Sequence, residues 1–154
     1  MYMSNTAEVL ENYTNPQYTN KSTQVTQKTQ ETMVVILATG NDDGGQRATL
    51  AFTAATCAAA MDKRVIMFMV GDGAYWAYEG HTKGVQKNGF PALEELMSSF
   101  IELDGAMYIC STCDKVCSVP SDNNAENFKR HSAIQPRGMS AVLSDIAEGC
   151  SVTF

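Results

Sequence analysis

MVVILATGNDDGGQRATLAFTAATCAAAM, residues 33–61, carries the fold class of this chain. It opens on MVVILA, a short unbroken apolar run rich in β-branched residues, which is how a strand buried on both faces reads. A turn-forming stretch, TGNDDGGQR, follows. The rest, ATLAFTAATCAAAM, is rich in alanine and reads as a helix with Leu50, Ala54, Cys57, Ala58 and Met61 on one face. Small residues on such a helix let it lie close against a sheet.

The same alternation continues outward. RVIMFMV (64–70) is a second buried strand, ending at GDG. A long loop, GDGAYWAYEGHTKGVQKNGF (71–90), leads to Pro91, well suited to the first position of a helix. Leu93, Leu96, Met97, Phe100 and Ile101 then recur at helical spacing, the clearest amphipathic helix in the chain. GAMYIC (105–110) reads as a third strand, STCDKVC as one or two helical turns with Ser111 or Thr112 as cap, and AIQP (133–136) as a fourth strand. GMSAVLSDIAEG gives a helix with Met139, Val142, Leu143 and Ile146 on one face and Gly149 as its C-terminal cap, and CSVTF (150–154) a last strand. Alternating strands and helices predict an α/β fold: a mostly parallel five-stranded sheet with helices on both faces and right-handed crossovers. Functional groups in such folds gather at the carboxyl ends of the strands. GNDDGG, GDGAYWAYEG and CSTCDKVC are the loops that meet this condition.

At 154 residues the chain suits one domain with a full core, which needs no disulfide or zinc to hold it. Residues 12–32, almost all Thr, Gln, Asn and Lys, have little apolar surface to offset their ordering entropy. The expected division is therefore a polar arm over 1–32 and a single α/β domain over 33–154. The net charge of −6 and the lack of a basic run argue against nucleic-acid binding. No stretch is long and apolar enough for a membrane span, and the N-terminal residues lack the pattern of a secretory signal. A cytoplasmic setting with reduced thiols is expected, and an odd count of five cysteines fits poorly with a disulfide framework.

YICSTCDKVCSV (108–119) gathers three of those five cysteines. Cys110 ends a predicted strand and Cys113 lies one helical turn on. Backbone N–H groups at the start of a helix after Cys110 favour its thiolate, the nucleophilic form. Cys110 and Cys113 are thus the candidate catalytic residues, and small buried side chains are the plainer alternative. Cys113 and Cys117 would share a helix face. A metal site is disfavoured, because zinc sites pair their ligands and His81 and His131 stand alone in the sequence. Cys57 and Cys150 read as core residues. TGNDDGGQR matches no phosphate-binding motif, Asp42 and Asp43 would repel phosphate, and a plain turn is preferred. Tyr75, Trp76 and Tyr78 suit either a partner contact or the edge of the core. Arg130 and His131 would bear on the site only by folding back over Cys110.

Four stretches, VVILATGND with its Ala-rich helix, VIMFMVGDGAYWA, LEELMSSFIELDGAMYICSTC and GMSAVLSDIAEGCSVTF, resemble the DsrE/DsrF-like family of small sulfur-relay proteins, near its YchN-like members. The strand-end cysteine that opens C-x-T-C (110–113) is the most specific element. The resemblance implies a flavodoxin-like three-layer fold and assembly as a homotrimer or homohexamer. It also implies a cysteine at the end of the third strand that accepts a persulfide from a donor protein and passes it to an acceptor. That position corresponds to Cys110, and the second cysteine of the YchN-like motif to Cys113; Cys117 has no assigned counterpart. No cofactor or metal is expected. Three functions remain open: a cytosolic persulfide carrier, a thiol-disulfide redox or regulatory protein using Cys110 and Cys113, and a non-catalytic oligomeric interaction module.

Overall fold

The computed structural model describes residues 30–116 and 129–154. The polar arm, up to residue 29, and Cys117 lie outside the described residues. Strands β1 (Thr32–Leu37), β2 (Arg64–Met69), β3 (Ala106–Cys110), β4 (Ile134–Arg137) and β5 (Gly149–Thr153) form one sheet in the order β4-β3-β2-β1-β5. Every pairing is parallel. Helices α1 (Gln46–Ala60), α2 (Leu93–Glu102), α3 (Cys113–Val116) and α4 (Met139–Ala147) fill the connections, and a 3₁₀ helix, Gly71–Ala77, follows β2 within the expected long loop. The chain steps outward from β1 to β4, then crosses back over the sheet to β5. Right-handed crossovers therefore put α4 on the face opposite α1 and α2. The result is an α/β flavodoxin-like sandwich.

The strand register shows what each face holds. Val35, Leu37, Met67, Met69, Met107, Ile109 and Ile134 share one face and all are buried. Phe52 of α1 meets Phe100 of α2 edge to face, with ring centroids 6.3 Å apart. The other face carries Val34, Ile36, Ile66, Phe68, Tyr108, Cys110 and Arg137, with α4 laid across part of it. Asp145 of α4 is the polar anchor there. Its carboxylate accepts from Arg137 at 2.5 Å and from Arg64 at 3.4 Å, and the Arg137 guanidinium lies 4.6 Å from the centre of the Tyr108 ring.

Several expectations need correction. On α1 the buried face is Ala48, Ala51, Phe52, Ala55 and Ala58, whereas Met61 is 69% exposed and Cys57 is exposed. This helix is apolar nearly all round, so periodicity marks its face poorly, and Phe52 sets the rotation. Cys150 is exposed too, because β5 is an edge strand whose residues are mostly uncovered. On α4 only Val142 of the predicted face is fully buried; Met139 is 45% and Leu143 57% exposed. Helix α2 starts at Leu93, not Pro91, with Ala92 extended ahead of it and the Leu93 N–H donating to Val85 O. Gly149 is not a helix cap but the first residue of β5. It is glycine because β5 runs close against β1: an added Cβ would lie 2.0 Å from Thr32 O.

The turn TGNDDGGQR does hold an anion, and the anion is its own. The Asp43 carboxylate accepts N–H bonds from Gly45 (2.9 Å), Gln46 (3.0 Å) and Arg47 (2.9 Å) at the start of α1. These are the donors that a phosphate would need. Asp43→Ala should cost about 1–2 kcal/mol, the usual cost of losing such a cap. Urea unfolding of the two proteins checks this.

Candidate functional site

Cys110 closes β3 and is 7% exposed. Its register partner is Arg137, and the Ser111 N–H still donates to Arg137 O at 3.1 Å. The chain is thus tied to β4 one residue beyond the cysteine, then turns through Thr112 into α3. This turn aims its donors back at the Cys110 sulfur. Burial pushes the Cys110 thiol pKa up. The backbone N–H groups of Cys113 and Thr112, followed by their side chains, more than offset it and hold the thiol below its ordinary value.

Cys113 is 7% exposed and sits between two partners. Its side chain bonds Cys110, and its sulfur accepts the Gly71 N–H at 3.2 Å. Gly71 starts the 3₁₀ helix, which is packed down on the end of β1. There the Gly73 N–H donates to Ala38 O at 3.1 Å, and the Trp76 Nε1 proton goes to Thr39 O at 2.9 Å. The carboxyl ends of β2 and β3 therefore meet at the two thiols, with the 3₁₀ helix bracing them against the end of β1, where α/β folds place their working groups.

Behind the thiols lies a polar cluster. Asp114 Oδ1 accepts from the Tyr78 hydroxyl at 2.9 Å, and Oδ2 from Arg130 Nη1 at 2.6 Å. Arg130 also donates through Nε to Ile134 O at 3.0 Å, and its backbone forms an antiparallel bridge with Tyr78. Arg130 therefore engages Asp114 instead of folding back over Cys110. Trp76 and Tyr78 are buried, so these aromatics belong to the edge of the core. The His81 ring stacks on Tyr75 at 4.1 Å, and His131 Nδ1 takes the Ala133 N–H. Neither histidine joins the cysteines in a metal-binding set: among the described residues no group of three or more His, Cys, Asp and Glu is placed to hold an ion. A cavity of about 280 Å³ is lined by Tyr78, Thr82, Lys83, Glu94, Met97 and His131, and neither thiol borders it. Asp114 and Gly71 were missed from sequence, although Asp114 directly follows the C-x-x-C and Gly71 opens a strand-end loop, and Tyr78 was singled out there without its link to Asp114.

The sequence matches the DsrE/DsrF-like family over residues 33–151. The chain belongs to that family. Membership suggests a role related to sulfur relay. Among solved structures, the ychN protein from E. coli is similar, with 14% identity and a TM-score of 0.58 over 81% of this chain and 99% of that one. A conserved protein of unknown function from Bacteroides thetaiotaomicron shares 14% identity at a TM-score of 0.47, over 79% of this chain and 94% of the other. At such identity the ychN likeness speaks for the fold. A search of curated proteins finds no match. Among the described residues of this DsrE/DsrF-like chain, no helix is long and apolar enough to cross a membrane.

Proposed function

We propose that this DsrE/DsrF-like protein carries sulfane sulfur as a persulfide on Cys110. The observation that supports this reading is the Cys110 sulfur itself, buried yet held toward the thiolate by N–H groups of Thr112 and Cys113. The thiolate attacks the outer sulfur of a donor persulfide, R–S–SH. A new S–S bond forms, the old one breaks, and the donor leaves as R–S⁻, giving Cys110–S–SH. An acceptor thiolate then takes the outer sulfur and Cys110 returns as thiolate. The partners on this reading are sulfur-donor and sulfur-acceptor proteins in the cytosol. The working unit is a homotrimer or homohexamer of the 33–154 domain, a reading supported by the apolar Met139 and Leu143 left exposed on α4.

The hydrogen bond between the Cys113 and Cys110 side chains favours a second reading, a reversible disulfide. Intact-protein mass spectrometry after incubation with polysulfide, with and without reductant, separates the two. A reductant-sensitive gain of one sulfur, about 32 mass units, mapping to Cys110 is expected. Loss of two hydrogens mapping to Cys110 and Cys113 would instead assign the disulfide reading, and no change would overturn both.

A further inference from the structure

Over its described residues, Cys113–Val116, helix α3 is a single turn, which supplies little stability of its own. The two N–H groups that face the Cys110 sulfur nevertheless come from its first residue and the residue before it. Contacts from outside α3 help to fix them. The cluster at Asp114 does this from two directions. Tyr78, itself 6% exposed, reaches both Asp114 O (3.2 Å) and Oδ1 (2.9 Å). Arg130 holds Oδ2, and it is held in turn by Ile134 O and by the backbone bridge between residues 78 and 130. The Arg130–Asp114 pair is mostly shielded, with side chains 34% and 18% exposed.

Charge makes the same demand as position. Asp114 is four residues from Cys110, and an uncompensated carboxylate there would oppose a thiolate. Arg130 supplies the balancing cation. Among the described residues, the other ionisable or charged groups near Cys110 are Cys113 on α3, Tyr108 and Arg137 on its own face of the sheet, and Asp72 beside Gly71. Arg137 is committed to Asp145.

We infer that Arg130 is a positioning residue for the reactive thiol: through Asp114 it locks the first turn of α3 in the geometry that presents Thr112 and Cys113 N–H groups to Cys110, and it cancels the Asp114 charge. This inference rests on Cys110 being the reacting thiol, but not on what the thiol carries.

The test is the pH profile of iodoacetamide alkylation in the full-length protein, with each modified cysteine quantified by peptide mass spectrometry. The exposed Cys57 and Cys150 are controls inside the same molecule. Arg130→Met should move the Cys110 midpoint upward by half a unit or more, which means about threefold or more less thiolate near neutral pH. Cys57 and Cys150 should keep their rates. Arg130→Lys retains the cation and should return the midpoint most of the way. An unchanged Cys110 profile in Arg130→Met, with an unchanged melt, would overturn the inference. If Arg130→Met does not fold, Tyr78→Phe removes a single hydroxyl from the same carboxylate: a raised midpoint supports the inference and an unmoved one overturns it. Sulfur loading is read separately. A wild-type Cys110 with a low midpoint that takes up no sulfur defeats the carrier function and leaves the role of Arg130 standing.

Discussion

Cys110→Ser should take up no sulfur from polysulfide, while the wild-type chain gains one atom at that position. A serine hydroxyl stays protonated across the working pH range and cannot form the S–S bond that defines the carrier step. The exchange is otherwise conservative. Serine has nearly the same shape, and its oxygen accepts the Thr112 and Cys113 N–H groups that the sulfur accepts now. Stability should therefore change by only about 1 kcal/mol, and a melting curve run beside the loading assay verifies that the fold is intact. Full loading of a folded Cys110→Ser protein would end the carrier reading. The exposed Cys57 and Cys150 make the result clean only if the adduct is mapped, since either thiol is open to reagent.

Gly73→Ala should cost about 3 kcal/mol or more, on the scale of overpacking against unyielding neighbours. A Cβ there would lie 1.9 Å from Leu37 O and 2.6 Å from Leu37 C, so a main chain, not a flexible side chain, has to move. The alanine also narrows the unfolded ensemble, but that gain is about 1 kcal/mol at most and does not reverse the sign. For a chain of this length the loss corresponds to a fall of roughly 10 °C in melting temperature. Gly138→Ala is the matched control, because its nearest neighbour to a new Cβ is Ser140 Oγ at 3.9 Å. A Gly73→Ala protein that melts with wild type would mean that the 3₁₀ helix can lift away from β1. Gly71 rides on that helix, so the N–H bond to Cys113 should loosen together with the fold.

The parallel sheet was readable because its central strands are buried on both faces and so appear as unbroken apolar runs. All five predicted strands occur, each within a residue of its expected limits. The clear amphipathic face of α2 was readable for the same reason. The rotation of α1 was not. Alanine on every side gives no preferred face, and the packing of Phe52 against Phe100 decides it across chain separations that periodicity does not sample. On α4 the apolar pattern was read correctly but its use was not, since Asp145 is turned inward to hold two arginines while Met139 and Leu143 are left outside. At the site, the strand-end position of Cys110 and its one-turn spacing to Cys113 follow from local pattern. Asp114, Tyr78 and Arg130 are brought together from three separate segments, and no local pattern announces that meeting.

The strand order also governs how the chain must fold. Among the described residues β1 is the first strand along the chain and lies inside the sheet, with β2 on one side and β5 on the other. Its second neighbour, β5, is the last described strand along the chain and pairs only when Gly149 reaches Thr32. Until then one row of β1 amides and carbonyls is unpaired, an edge open to any extended peptide nearby. Closure across so long a chain segment is intrinsically slow, and parallel pairings are the slow kind. Mutations that weaken β5 should thus act first on yield and aggregation during refolding, before any effect on the thiols at the far ends of β2 and β3.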